Sequence, residues 1–333
     1  MPANLLRLLI RYLLLAAGVV LLNFLIPRLL PGDPLGFMAG EGTDGAVPLS
    51  TAARDQLRSY YHLDQPPGRQ LASYLSGLPH GDFGQSIARS TPVRDLIVDR
   101  LPWTLGLLLG SLLLSLVAGT TAGVAAGWCA GQGRDRLLVS VASVLVALPE
   151  ILLAIGLALI FAVGLGWVPL FGGETLFASY GEGVGAIPRR GLDIAWHLAL
   201  PAATLVLVGG AAFLLLARDV TAGLRHEPWL TVARAKGLRE HQVARSHLLP
   251  NIALPLLAFA GPRLGGVLGG ALVVERVFGL PGVGSLGYEA IRARDYPLLQ
   301  ALFLLSSLGV LVANLVVDLA SLSIESRRGS GDG

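Results

Sequence analysis

Charged side chains are scarce in this chain. Lysine, arginine, aspartate and glutamate make up 14% of the 333 residues, and Lys236 is the only lysine. A soluble domain carries about 25% charged residues. Apolar residues make up 53% of the sequence, and the mean hydropathy is +0.65. Because so few charges cannot cover a water-exposed surface of this size, we expect most of the surface to lie in lipid.

The motifs of several enzyme classes are also missing. Cys129 is the only cysteine, which excludes an intrachain disulfide, and no C-x-x-C, H-E-x-x-H or G-x-S-x-G is present. Lys236 is followed by Gly237 rather than serine or threonine, so the chain has no G-x-x-x-x-G-K-[ST] phosphate loop. We predict no catalytic site, no cofactor and no metal site in this chain. If the protein is driven by ATP, a partner subunit must bind the ATP.

Long hydrophobic runs, by contrast, are abundant. Six segments reach the length of about 20 apolar residues that a membrane-spanning helix needs: residues 8–30, 101–127, 137–168, 194–217, 246–274 and 296–317. The first could instead be a cleaved signal peptide, but no small-residue cleavage site follows it. The sequence predicts an all-α membrane protein with six transmembrane helices, some of them kinked or broken at prolines such as Pro149 and Pro255.

The arginines indicate the orientation. With six spans, both chain ends and the loops 131–136 and 218–247 lie on one side, and all four carry arginine. Arginine and lysine in short loops favour the cytoplasmic side, whereas long loops cross regardless of charge. We therefore predict that both termini are cytoplasmic and that the long segment after the first span is extracytoplasmic.

Four regions follow from this arrangement. Residues 1–30 form an N-terminal span, 31–100 an extracytoplasmic region of short helices and turns, 101–325 a five-helix core, and 326–333 a cytoplasmic tail. Within the second region, residues 49–63 show mild helical periodicity. A second external loop, 171–190, is rich in glycine, and we expect it to be irregular.

Residues 218–251, RDVTAGLRHEPWLTVARAKGLREHQVARSHLLPN, form a basic segment between two apolar runs. Proline suits the first turn of a helix, and glycine often ends one. Pro228 and Gly237 therefore predict a short helix over residues 228–236, with a positive φ at the glycine. A short helix at the inner face of a membrane protein can transmit movement from a soluble partner.

Several short motifs follow one another along the chain: PGDP at 31–34, GDFG at 81–84, HLALP at 197–201, VARAKGL at 232–238, HLLPN at 247–251, E-x-x-F-x-x-P-G-x-G at 275–284 and RDYP at 294–297. Together they resemble the permease subunits of ABC importers, in particular the dipeptide, oligopeptide and nickel family. The basic segment resembles the cytoplasmic "EAA" loop of these permeases. The long stretch from PGDP to GDFG is similar to the first-permease type.

The resemblance implies a fold like that of type I importers and a place in the bacterial inner membrane. It also implies the partners: a second homologous permease, two ATP-binding subunits inside and an extracytoplasmic substrate-binding protein, with no role for nucleic acid. The residues expected to couple to the ATPase are Trp229, Thr231, Ala233, Arg234, Lys236 and Gly237. Thr-Val-Ala at 231–233 replaces the Glu-Ala-Ala of the family, so the polar anchor to the ATPase is not identified.

Two charges inside predicted spans are candidates for the translocation pathway. Glu150 and Arg263 are each the sole charge of their span, and a charge near mid-bilayer costs about 2.5–3.5 kcal/mol or more unless it pairs or lines a wet cavity. We expect either a structural ion pair or a pathway-lining pair that favours a charged or zwitterionic cargo. Glu275 and Phe278, beyond the fifth span, are candidates for an outer gate or a docking surface; the alternative is an ordinary external turn.

The resulting hypothesis is a permease subunit that forms the translocation pathway for di- or oligopeptides and is driven by separate ATPases. Specificity would reside mainly in the binding protein, so import of nickel or a metallophore stays open as an alternative. Two alternatives belong to other classes: an ion-coupled secondary transporter that uses Glu150, and a membrane scaffold that transports nothing.

Overall fold

Residues 2–29, 65–178, 180, 186–266 and 271–329 are described by the computed structural model of the chain. Their helices are α1 (Pro2–Leu29), α2 (Pro67–Gly77), α3 (Val93–Trp128), α4 (Gly133–Ala147), α5 (Glu150–Leu157), α6 (Ala186–His197), α7 (Ala199–Leu224), α8 (Pro228–Ala235), α9 (Glu240–Val243), α10 (Leu249–Gly266), α11 (Leu272–Val277), α12 (Val283–Ala293) and α13 (Tyr296–Gly329). The PGDP motif and the periodic stretch 49–63 lie outside the described residues.

Five helical stretches among these residues are long and apolar enough to cross a membrane. They are Leu5–Leu25, Val93–Trp128, Ala199–Leu224, Glu240–Gly265 and Tyr296–Leu322. The fourth of them joins α9 to α10 through a π-helical turn at Ala244–Leu248. The remaining predicted span consists of α4 and the helical stretch Glu150–Gly164, which begins with α5. Together they are apolar enough to cross, but the chain bends by 102° between them.

The bend between α4 and α5 lies at the predicted proline. Leu148 has φ −74° and ψ 129°, the extended conformation that a residue before proline favours. Pro149 has no N–H to continue the hydrogen-bond ladder, and Glu150 then starts α5. The expected break at Pro149 is thus confirmed, whereas Pro255 lies inside α10.

The bent pair runs the whole length of the bundle. At the start of α4, Asp135 bonds to Arg218 near the end of α7. Beyond the bend, Ala154 and Ala158 pack in one cluster with Leu200, which lies at the beginning of α7. Because α4 and α5 accompany α7 from one end to the other, they form a single broken crossing, and the bundle has the six crossings that the sequence predicted.

Antiparallel packing places both described chain ends at the same end of the bundle as the short helix α8. The helix α10 starts beside α8, because Leu248 and Ile252 share a core cluster with Leu230. Its later residue Gly261 lies against Val317 of α13, so α13 runs back toward α8. We call this the loop end, after residues 225–239.

The first helix follows the same rule. Tyr12 Oη donates a hydrogen bond to Asp318 Oδ2 at 2.8 Å, and Asn23 Nδ2 donates to the carbonyl of Gln300 at 3.1 Å. Early residues of α1 therefore lie beside late residues of α13, so α1 begins where α13 ends, at the loop end.

A row of small residues joins α3 to α7. Gly119, Gly123 and Gly127 recur every fourth residue, which places them on one helical face, and a Cβ atom at Gly123 would lie 2.4 Å from the carbonyl oxygen of Leu214. Membrane helices approach closely through such small-residue rows. This spacing is visible in the sequence but did not enter the sequence analysis.

Several helices extend beyond the predicted spans. The helix α3 begins at Val93 rather than at residue 101, α7 continues to Leu224 rather than ending at 217, and α13 reaches Gly329, inside the predicted tail. These helices continue beyond the apolar run because their backbone hydrogen bonds persist in the interface, where arginine stems lie along apolar surface with the charge in water. The basic loop therefore shortens from 218–251 to residues 225–239.

Two further helix boundaries differ from the predicted spans, because a helix ends inside an apolar run where hydropathy gives no sign of it. Residues 186–197 form α6, so part of the loop 171–190 is helical, and the fourth crossing starts at Ala199 rather than at residue 194. The predicted fifth span, 246–274, is divided: Leu272–Val277 forms the separate helix α11.

Candidate functional site

The helix α8 has the predicted form. Glu227 precedes it in an extended conformation, Pro228 occupies its first turn, and its last residue is Ala235, one residue before the predicted end. Gly237 follows with φ +82°, which confirms the predicted positive φ. This left-handed conformation turns the chain toward α9.

One face of α8 is packed into the bundle and the other is exposed. Leu230 and Ala233 are buried in a cluster with Val243, Leu248 and Ile252. Ala233, one of the residues predicted to couple to the ATPase, is only 2% exposed, so it supports the helix rather than presenting a contact surface. The exposed residues are Pro228, Thr231, Val232, Ala235 and Lys236, and Trp229 is half-buried.

Arg234 fixes α8 to the end of α3. Its guanidinium lies 5.5 Å from the ring centroid of Trp128, and its Nε is 3.0 Å from Oε1 of Glu240. Arg225, at the start of the loop, donates to the carbonyls of Trp128 and Ala130 at 3.3 and 3.2 Å. The loop is thus attached to the last turn of α3 by two arginines, and movement of α8 would act directly on that crossing.

A buried ion pair joins two crossings near the same end. Arg218 Nε and Nη2 donate to Oδ1 and Oδ2 of Asp135 at 2.8 and 2.7 Å. The amide of Gly131 donates to Oδ2 at 2.8 Å. This two-point geometry is characteristic of strong arginine–carboxylate contacts. Sequence reasoning missed the pair because it treated this loop only as a source of positive charge.

Glu275 is a buried structural anchor at the opposite end of the bundle. Thr104 Oγ1 donates to its Oε1 at 2.8 Å, and the amide of Ser285 donates to its Oε2 at 2.8 Å. A Cβ atom at Gly282 would come within 2.2 Å of this carboxyl group. Glu275 and Phe278 are each 1% exposed, so neither side chain is available to a docking partner in this structure, and the role of an outer gate stays a prediction.

The motifs GDFG and RDYP lie together at this end. Asp295 is buried and accepts hydrogen bonds from Ser86 Oγ and from the amides of Ile87 and Ala88. It also accepts from the amide of Leu298 in the first turn of α13. The segment after GDFG is therefore attached to the start of the last crossing.

The loop that follows the third crossing has its own carboxylate anchor. Asp193 of α6 accepts hydrogen bonds from the amide and hydroxyl of Thr175 at 2.7 and 2.6 Å, and from Tyr180 Oη at 2.7 Å. The side-chain and backbone bonds from Thr175 lower the pKa of Asp193 from 3.8 to about 2. The hydrogen bond that Tyr180 donates to Asp193, together with burial, raises the pKa of Tyr180 to about 12.

An open cleft of about 340 Å³ lies beside the bend of the third crossing, and Glu150 and Arg263 are both exposed in it. It is lined by Leu108, Ser111, Leu112, Ser115, Val146, Glu150, Leu205, Val208, Gly209, Ala212, Phe213, Arg263 and Ala271. The structure thus brings Glu150 and Arg263 to one cleft, as expected for pathway-lining residues. They do not form an ion pair in the described structure; instead the Arg263 guanidinium lies 3.6 Å from the ring centroid of Phe259. No group of three or more potential metal-ligating side chains occurs among the described residues.

The chain has six helical crossings, a short amphipathic helix at one end and a cleft that holds two opposite charges. These features define a helical membrane transport protein. Residues 119–329 match the family model described as "Binding-protein-dependent transport system inner membrane component", and the chain belongs to this family. The family comprises transport subunits of the inner membrane rather than enzymes. Membership decides against the ion-coupled transporter and the scaffold.

Curated relatives match nearly the whole chain. The oligopeptide transport system permease protein AppB of Bacillus subtilis is 31% identical over 311 residues, which cover 93% of this chain and 94% of the relative. The glutathione transport system permease proteins GsiC of Shigella flexneri and of Escherichia coli K12 are each 34% identical over 301 residues, 90% of both chains.

Proposed function

We propose that this chain and a second homologous permease form the pathway through which an ABC importer moves short peptides into the cell. The observation that carries the proposal is the 31–34% identity, over at least 90% of the chain, to permeases named for oligopeptides and glutathione. The cleft with both signs of charge fits a peptide cargo, because a peptide with free ends carries both charges.

The helix α8 is the docking element for an ATP-binding subunit. Its inner face is fixed by Leu230 and Ala233, while Thr231, Val232 and Lys236 are exposed. Hydrolysis takes place in the partner, since this chain has no phosphate-binding loop. Closure of two ATPases would push α8, and the contacts of Arg225 and Arg234 would pass that displacement to the end of α3.

The loop end faces the cytoplasm in this proposal. The residues at that end include Arg134, Arg136, Arg225, Lys236 and Arg239, and cationic short loops favour the inside. Both chain ends then lie inside as well. The extracytoplasmic binding protein approaches the opposite end, where the Asp295 and Glu275 anchors hold the external segments in place.

Reconstitution of the complete transporter in proteoliposomes tests the function. The proteoliposomes contain the permease pair and two ATPases, and the cognate binding protein is supplied. They should accumulate uncapped oligopeptides only when ATP is present on the side of the membrane that carries the ATPases. The matched control is a transporter whose ATPase subunits carry a substitution of the phosphate-loop lysine. Accumulation that continues in this control, or that follows an imposed proton gradient without ATP, would refute the proposal.

A further inference from the structure

The cleft beside the bend carries two opposite charges that do not neutralise each other. Glu150 enters it from the first turn of α5, and Arg263 enters it from α10. Within the described ranges, the Glu150 carboxylate has neither a hydrogen bond nor an ion pair of 4.0 Å or less. Both side chains are exposed in the cleft. Because an unpaired charge within a membrane-spanning segment is costly, each is expected to meet water, a neighbouring subunit or a ligand of opposite charge.

The Arg263 guanidinium is held in a fixed position. It stacks on Phe259, lies 5.8 Å from the ring centroid of Phe213, and donates one hydrogen bond from Nη1 to the carbonyl of Phe259 at 3.1 Å. No other bond from this group to a described residue is present. A stacked guanidinium with remaining donors is pre-organised to bind a carboxylate through two parallel hydrogen bonds.

We propose that this cleft is a transient binding site for both ends of a short uncapped peptide. The α-ammonium group pairs with Glu150, and the α-carboxylate binds Arg263. The volume lies at the lower end of the range for ligand sites, roughly 300–1,000 Å³, which favours a cargo of a few residues. This inference rests on the proposed function and adds that the permease itself reads the charged ends of its cargo.

Protection of a reporter cysteine tests the site without the binding protein, whose own preference for peptide ends would otherwise interfere. Ala212 lines the cleft and is half-buried, so Ala212→Cys in a Cys129→Ser chain reports on occupancy. The permease–ATPase complex in nanodiscs is labelled with N-ethylmaleimide in the presence of an Ala-X-Ala tripeptide library. The matched probe is the same library with N-acetyl and C-amide caps.

The uncapped library should slow labelling at lower concentrations than the capped library. In the reporter chain, Glu150→Gln or Arg263→Gln should raise the protective concentration of the uncapped library by about tenfold and bring the two libraries close together. Asp318→Asn is the control, because this carboxylate bonds to Tyr12 and does not line the cleft; it should change nothing.

Equal protection by the two libraries, or no protection by either, would overturn the site. If uptake in proteoliposomes is normal at the same time, the proposed function stands and only the inference fails. If uptake needs no ATP while the uncapped library still protects, the proposed function fails and the site remains.

Discussion

Asp135 and Glu275 are two buried carboxylates near opposite ends of the bundle, and each is satisfied by donors from other parts of the chain. Asp135 receives a guanidinium and a backbone amide; Glu275 receives a hydroxyl and a backbone amide. The difference matters energetically, because removing a charged partner leaves a buried charge uncompensated, whereas removing a neutral donor does not.

Replacement of Arg218 should therefore destabilise the chain strongly. Breaking a buried pair costs about 3–5 kcal/mol, and because the Arg218 side chain is 26% exposed, we expect Arg218→Met to cost about 3 kcal/mol, at the low end of that range. Arg218→Lys should cost less, since it keeps the charge but loses the two-point geometry. The loss is measured as the fall in the unfolding midpoint of purified protein in detergent.

Asp219 provides the matched control for that measurement. Its carboxylate accepts from Nη1 of the same arginine at 2.9 Å but is 70% exposed, and exposed pairs contribute about 0–1 kcal/mol. Asp219→Asn should barely move the midpoint. A similar fall for Asp219→Asn and Arg218→Met would show that burial of Asp135 does not decide the cost.

At the scale of elements, α8 depends on the turn that follows it. Gly237 has a positive φ, and a Cβ atom there would meet no other atom within 4 Å. A substitution at this position therefore acts through the backbone conformation alone. For a β-branched residue the left-handed conformation costs about 1–2 kcal/mol.

Gly237→Val should reorient α8 and uncouple ATP hydrolysis from uptake while the protein still inserts into the membrane. Gly237→Asn is the matched control, because asparagine tolerates a positive φ and should retain most of the coupling. The measurements are uptake and binding-protein-stimulated ATPase activity in the same proteoliposomes. Wild-type values for the valine variant would refute the assignment of α8 as the coupling element.

The contact between α3 and α7 makes a second prediction at this scale. In Gly123→Ala, the added methyl group meets the backbone of α7 at 2.4 Å, so the helices must separate, at a cost of about 1–3 kcal/mol. Gly110→Ala in the same helix adds a methyl group with no atom within 4 Å and should be neutral or slightly stabilising. Thermal unfolding in detergent measures both variants, and equal midpoints would contradict this account of the interface.

At the scale of the whole molecule, the proposed orientation makes a direct prediction. Single cysteines at positions 60 and 240 in a Cys129→Ser chain should react with an impermeant maleimide from opposite sides of the membrane, position 60 from outside and 240 from inside. Both residues lie in regions that the six-crossing arrangement assigns to different sides. Labelling of position 60 from the cytoplasmic side only would contradict the proposed topology.

The sequence predicted local features well and long-range pairs poorly. The six apolar runs, the break at Pro149 and the turn at Gly237 depend on residues close in sequence, so hydropathy and backbone preferences were sufficient. The pair of Asp135 and Arg218 joins residues 83 positions apart. Which acid meets which donor depends on how the crossings pack, and that information is not contained in any short segment.

The burial of Glu275 could not be read from its place in the sequence. The residue lies near a Pro-Gly turn, and such turns are usually at the surface. Burial of its carboxylate requires a close approach by Gly282 and a hydroxyl from Thr104, 171 positions away. The cleft charges were easier to predict, because a lone charge within an apolar run is itself a local signal.

The bend at Pro149 also has an electrical consequence for the cell. The last carbonyl groups of a helix have no partner within it, so the end of α4 leaves polar backbone at the bend, and polar backbone inside a membrane requires protein partners or water. A hydrated bend inside the membrane could let ions leak across it. We expect the fixed positive charge of Arg263 to repel protons and sodium ions there, as an arginine does in other selective pores, so that the membrane potential is preserved while cargo passes.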